Sequence, residues 1–187
     1  MTNKSRLILL SILVSITGCT TMSPSEKEQK RAELDEMANT SIARLIKQDP
    51  AIQDKIDKSL AYAVADMKLT KVPIVGGGGG EGVLFDKKTS KHIYFTVSRF
   101  DLGGGWGVRS YKALFVVESQ DIYDKVIDGT WEFQAGAEAS AGSASAEGSS
   151  SGQSKGFSLY VLSEAGASVT VTARVIRTKA NSALTEN

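Results

Sequence analysis

Apolar residues recur at intervals of three and four between Glu26 and Lys47, at Leu34, Met37, Ala38, Ile42, Leu45 and Ile46. That spacing lines them along one narrow stripe of an amphipathic helix. Its first turns are charged, with Glu26, Lys27, Glu28, Lys30 and Arg31. The expected use of such a stripe is packing on the rest of the domain. A membrane-surface helix would favour bulky aromatics and a basic face, and this one has neither. Asp49-Pro50 reads as a second helix start, with Asp as N-cap and Pro at the first helical position. Ile52, Ile56 and Leu60 follow four apart and predict a helix over about 50–61. Residues 26–61 therefore read as a helical region.

Beyond it the period shortens. Lys71-Val72-Pro73 stops any helix, and Gly76 to Gly82 follows with a single Glu81. Ile93, Phe95 and Val97 then alternate with polar or amphipathic neighbours, as in a half-buried strand. Ala113 to Val117 is a continuous apolar run. Asp121 to Ile127 predicts a short helix with Asp121 as cap and Gly129 past its end. Trp131, Phe133, Ala135, Ala137 and Ala139 alternate, as do Phe157, Leu159 and Val161, and later Val169, Val171, Ala173 and Val175. Short strands of this kind suggest an antiparallel sandwich or barrel. The expected class is α+β: N-terminal amphipathic helices followed by a glycine-rich antiparallel β-sandwich or barrel-like domain over 62–178. The polar tail, 179–187, is expected to fray. Ala139 to Gly156, almost all Ala, Ser and Gly, fits either a flexible linker or a hairpin of small residues.

The N-terminus changes the picture. Lys4 and Arg6 precede the apolar run Leu7 to Val14, too short to span a bilayer, which takes roughly 20 apolar residues. A basic start, a short apolar stretch and small residues make a secretory signal peptide, here residues 1–18. It ends in Ile16-Thr17-Gly18-Cys19, which resembles the lipobox of bacterial lipoproteins. That resemblance implies cleavage between Gly18 and Cys19 and acyl chains on Cys19. One acyl chain anchors only marginally, and stable attachment takes two or more. Residues 19–25 would then be a tether. Thr20 stands where an Asp would resemble an inner-membrane retention signal, so the expectation is the periplasmic face of the outer membrane.

Charge and chemistry narrow the function. The chain of 187 residues carries 22 basic and 21 acidic side chains, so no basic excess points to nucleic acid. One cysteine permits no internal disulfide. Gly77, Gly79 and Gly82 match the dinucleotide fingerprint in spacing, but Val83-Leu84-Phe85 continues as a strand where that site needs a helix. Tight backbone approach is the simpler cause of the glycines. His92, the one histidine, has no Cys/His zinc set around it and reads as a solvated residue at a strand start. No Gly-x-Ser-x-Gly elbow and no paired-carboxylate spacing is present. The sequence therefore predicts no catalytic residues, metal site or cofactor.

From about Leu60 to Arg177 the order of features resembles the SYLF family, also called the lipid-binding Ysc-type domain. Ala61-Tyr62-Ala63-Val64 matches its opening alanine-rich helix, and Val72-Pro73-Ile74-Val75 leads into Gly76 to Gly82. Leu102-Gly103-Gly104-Gly105-Trp106-Gly107 matches its second glycine block. Gly136 to Gly142 is its small-residue block, and Gly156-Phe157-Ser158-Leu159-Tyr160 leads to a Gly166-Ala167 turn. The resemblance implies binding rather than catalysis. Eukaryotic members bind membrane phosphoinositides and in some cases actin, whereas bacterial members are commonly exported or lipidated. Phospholipid is thus the expected partner, besides the membrane reached through acylated Cys19. Lys68, Lys71, Arg99, Arg109 and Lys112 flank the glycine blocks and could meet a phosphate. Each also reads simply as solvated surface. The alternative to lipid binding is a structural or protein-interaction module of the envelope, with its protein partner unknown.

Overall fold

A computed structural model of the chain describes residues 22–128, 130–143, 149–154 and 156–185. The signal segment and Cys19 lie outside them. Helix α1 (Pro24–Gln48) begins earlier than the hydrophobic stripe. Ser23 Oγ accepts from the Glu26 N–H at 3.3 Å, and a Glu26 carboxylate oxygen accepts from the Ser23 N–H at 2.7 Å. This reciprocal cap, with Pro24 next to it, fixes the start. Residues 23–25, expected in the tether, therefore belong to the helix and its cap. Leu34, Ala38, Ser41 and Leu45 are its buried residues. Leu34, Ala38 and Leu45 join Ile52 and Ile56 of α2 (Ala51–Lys58) in one core cluster with strand residues. Pro50, not Asp49, is the N-cap of α2; Asp49 sits one residue earlier, its Oδ1 accepting from the Ala51 N–H at 3.0 Å.

The second helix stops at Lys58 instead of 61. Ser59 Oγ donates to the Ile56 carbonyl at 2.7 Å and closes the last turn. From there burial alternates: Ala61, Ala63, Ala65, Met67, Leu69 and Lys71 are all buried. That period of two belongs to a strand, so the alanine-rich helix implied for Ala61 to Val64 is instead β1 (Ala61–Lys71). It is followed by β2 (Val75–Asp86), β3 (Lys91–Leu102) and β4 (Gly105–Val117), then helix α3 (Gln120–Ile127), then β5 (Thr130–Ser143), β6 (Ser149–Ser154) and β7 (Phe157–Ala180). The class is α+β, with an antiparallel sheet.

Sheet order is β3-β2-β1-β4-β7-β5, and β6 also pairs with β7. The long last strand does two jobs. Phe157 to Thr170 pairs with β4, and Ala173 to Ala180 pairs with β3. The pairings thus run from β3 through β2, β1, β4 and β7 back to β3. The alternating runs around Leu159 and Val171, expected as separate strands, are parts of this one strand. Gly166, expected in a turn, lies within it opposite Arg109. Of the Ala/Ser/Gly segment, residues 139–143 pair with 171–167 and residues 149–154 with 162–157, both on β7, while 144–148 and 155 lie outside the described residues.

Two other expectations need correction. Ser119, not Asp121, is the N-cap of α3; the N–H groups of Glu118 and Ser119 both donate to the Gly156 carbonyl, at 2.8 and 3.1 Å. Gly129 lies outside the described residues. The polar tail does not fray over 181–185: Leu184 is buried in the helix-side core, and Arg31 Nε donates to its carbonyl at 2.7 Å. One leucine at the end of a polar stretch is enough to dock it.

Candidate functional site

The backbone register arranges one face of β1 and its neighbours into rungs. From the α3 end outward they read Phe115–Ala63–Leu84–Ile93, Ala113–Ala65–Gly82–Phe95, Tyr111–Met67–Gly80–Val97, Arg109–Leu69–Gly78–Arg99 and Gly107–Lys71–Gly76–Asp101. Successive rungs are two residues apart, so their side chains share a face. Ala63, Ala65, Met67, Leu84, Phe95, Val97, Tyr111 and Phe115 form a core with Tyr123 and Val126 of α3. We call this the inner face.

The glycines of β2 are the counterpart of bulk on either side. A Cβ on Gly80 would fall on the Asp66 carbonyl oxygen and within 2.6 Å of the Met67 sulfur. One on Gly82 would fall on the Val64 oxygen and within 2.7 Å of the Phe95 ring. Gly78 would meet the Lys68 oxygen at 2.5 Å. Close approach, rather than a phosphate loop, accounts for this run. Outward-facing Gly77, by contrast, has nothing within 4 Å of a Cβ.

The inner face turns polar at the far end. Arg99 donates to Asp101 twice, at 2.8 and 2.7 Å, and from Nη1 to the Tyr111 hydroxyl at 2.6 Å. The pair is 5% and 0% exposed. Burial works against the charge on Arg99. The hydrogen bond to Asp101, with the charges and hydroxyl around it, outweighs burial and holds the guanidinium above its ordinary pKa. Lys71, one rung further, is buried, and its Nζ has no hydrogen-bond partner among the described residues. Arg109 is half-buried, 5.5 Å from the Tyr111 ring centroid.

Strand parity thus divides the five candidate cations. Lys71, Arg99 and Arg109 take the inner face. Lys68 and Lys112 take the outer one, Lys68 exposed and Lys112 paired with Asp66 at 2.9 Å. Solvated surface is the right description for Lys68 and is overturned for Lys71 and Arg99, which are buried.

The outer face is banded. Tyr62, Val64, Phe85, Tyr94, Leu114 and Val116 lie in or against the helix-side core. Next comes a belt containing Asp66, Lys112, Glu81, Thr96, Lys68, Ser98 and Ser110, tied to α1 by Lys30 and Glu81 at 2.8 Å. Beyond the belt the surface is apolar again but uncovered. Val72, Ile74, Val75, Phe100, Leu102, Trp106 and Val108 are all exposed, Trp106 by 75% and Ile74 by 73%. They converge because the turn at 72–75 is bonded to the start of β4: the Gly103 N–H donates to the Ile74 carbonyl at 2.9 Å and the Gly105 N–H to the Pro73 carbonyl at 3.2 Å. Sequence reasoning missed this tip. Its signal was apolar residues inside turn-forming stretches, Val72-Pro73-Ile74 and Leu102-Gly-Gly-Gly-Trp106.

Elsewhere the polar groups serve structure. Tyr123 donates to Asp86 Oδ1 at 2.9 Å. Burial, followed by this bond to a carboxylate, pushes the Tyr123 hydroxyl up to about 12. Burial acts to raise the Asp86 pKa, but hydrogen bonds from Thr89, Tyr123 and the Lys88 N–H keep it below the ordinary value. His92 is 42% exposed in its side chain, 3.2 Å from Asp35, with its ring edge-on to Phe85. Among the described residues no group of three or more metal-ligating side chains could hold an ion, and no helix is long and apolar enough to cross a membrane.

No protein-family model matches the chain. It is 27% identical over 145 residues to Beta cell expansion factor A of Aeromonas veronii, a match covering 78% of this chain. The chain spans 55% of that relative's length, and the effect in the relative's name is said of that protein.

Proposed function

We propose that this chain is a cell-envelope lipoprotein, anchored through acylated Cys19 on the periplasmic face of the outer membrane, whose SYLF-like domain is a non-catalytic binder of phospholipid. In this reading the circuit of strand pairings is a barrel-like form, the N-terminal helices are its amphipathic cover, and the uncovered tip is the lipid-contact surface. The observation that carries the proposal is the banding of the outer face. An exposed cluster of seven large apolar side chains, two of them aromatic, sits past a charged belt. Contiguous exposed apolar surface marks a protein or membrane contact, and tryptophan favours the membrane–water boundary. Since the anchor already holds the chain on one bilayer, the tip would serve lipid recognition or contact with a second membrane.

The test uses a chain of residues 20–187, which lacks the apolar leader and the acylation site but keeps the capped start of α1 and both cores. It is expected to float with phospholipid vesicles. Replacing Ile74 and Trp106 together with Ser removes two contacts worth about 1.5–3 kcal/mol each when fully buried, so partitioning should fall more than about tenfold. Equal flotation of the two chains overturns the reading. The second reading, a protein-interaction module, has one observation in its favour: β5 ends the sheet order, and among the described residues no strand pairs with its outer edge. Crosslinking in intact cells, with partners identified, separates the two.

A further inference from the structure

We propose that the inner rung carrying Lys71 is an anion site, built for one phosphate group at the mouth of the apolar tip. This inference rests on the lipid-contact reading and deepens it by naming the headgroup chemistry: a phosphate monoester or diester whose headgroup carries no compensating cation.

Lys71 is the last residue of β1, immediately before exposed Val72. It is 3% exposed, and its Nζ has no hydrogen-bond partner among the described residues. A buried ammonium in that state costs several kcal/mol unless an anion or acceptor reaches it. The nearest carboxylate on the rung, Asp101, is already held by both arms of the Arg99 fork. Lys71 has glycine on both neighbouring strands, Gly76 on β2 and Gly107 on β4. Its stem lies over Gly76: a Cβ there would be 3.1 Å from Lys71 Cδ and 3.3 Å from Asp101 Cβ. A side chain at 76 would press on the Lys71 stem, while Gly107 has a φ of 142° that favours glycine.

The next rung adds Arg109, half-buried, with its guanidinium 5.5 Å from the Tyr111 ring centroid. Buried Lys71 and Arg99 with half-buried Arg109 stand against a single buried carboxylate on these two rungs, so the described groups leave the mouth positive. A phosphate entering from the tip side would accept charge-assisted hydrogen bonds from Lys71 and Arg109. Its acyl chains, if it belongs to a phospholipid, would lie against Val72, Ile74 and Trp106. A free phosphate would meet the same two cations without that apolar contact.

Lys71→Met keeps the stem and removes the charge. In the chain of residues 20–187, wild type is expected to bind vesicles of phosphatidylglycerol in phosphatidylcholine about tenfold more tightly than vesicles of phosphatidylcholine alone, at fixed ionic strength. The variant should lose that preference and bind both at the wild-type phosphatidylcholine level. Inorganic phosphate should raise the melting temperature of wild type and not of the variant. Without any anion the variant should melt no lower than wild type, because it has lost an unpartnered charge. A phosphate-dependent shift with no vesicle binding supports the anion site with free phosphate as its ligand, and sinks only the membrane reading. A variant that keeps both the headgroup preference and the phosphate shift, or that melts well below wild type without anion, overturns the proposal.

Discussion

Asp101→Ala is expected to cost about 3–5 kcal/mol, the range for breaking a buried ion pair from one side, and to lower the melting temperature by roughly 10 °C. Asp101 is fully buried and takes both hydrogen bonds of the Arg99 fork, at 2.8 and 2.7 Å. Without it Arg99 keeps only the Tyr111 hydroxyl, and Lys71 stands one rung away. Two buried cations would then share the polar end of the inner face without the carboxylate on the Lys71 rung. The pairings of β3 with β2 and β7 fix the backbone of both residues, so only a side-chain rotation can relieve Arg99. Removing both charges should be milder. An Arg99→Met/Asp101→Leu chain loses the pair but leaves no orphaned charge from it, and is expected to be more stable than Asp101→Ala alone. Denaturant unfolding of the three chains checks both statements, and equal midpoints for wild type and Asp101→Ala would contradict them.

Gly80→Ala should destabilise by about 3 kcal/mol, at the upper end of the usual cost of overpacking. The added methyl falls on the Asp66 carbonyl oxygen, part of the strand beside it, and on the Met67 sulfur. The sulfur is on a flexible side chain and can move, but the carbonyl is held in the β1–β2 pairing and cannot. Gly77→Ala is the matched control: three residues earlier in the same run, it meets nothing within 4 Å. Its effect should stay within about 0.5 kcal/mol of zero. A run of glycines serving flexibility would respond alike at both positions. A run serving close packing responds only on the inner face, and unfolding midpoints of the two variants distinguish these cases.

That difference also marks where the sequence was legible. Periods of three and four located α1, α2 and α3, because each helix carries its own apolar stripe. Alternation located β3, and a continuous apolar run located the apolar half of β4, for the same local reason. The misreading at Ala61 to Val64 came from small apolar residues that fit either period, with Leu60 falling four after Ile56 although it lies beyond the helix cap. Ala61, Ala63, Ala65, Met67 and Leu69 alternate when taken together, and that longer window contained the strand. The fate of the cations was not local. Whether Lys71 faces inward and Lys68 outward follows from their odd and even places on one strand, and from the pairing that decides which face is covered. That pairing joins β1 to residues near 80 and 112, so no short window could show it. The same holds for the tip, where segments around 74 and 103 meet through two backbone hydrogen bonds. Cys19, the basis of the proposed anchor, lies outside the described residues and stands on the sequence alone.

The tip is the centre of the account, and Trp106 reports on it directly. Of the chain's two tryptophans, Trp131 can be changed to Phe, leaving Trp106 as the sole emitter in residues 20–187. Vesicles of phosphatidylglycerol and phosphatidylcholine, brominated high on the acyl chains, are added and its fluorescence is followed. The account predicts a blue shift and strong quenching, since a side chain 75% exposed in the free protein would enter the acyl boundary. Emission that stays at its aqueous wavelength and is not quenched at saturating lipid would contradict it.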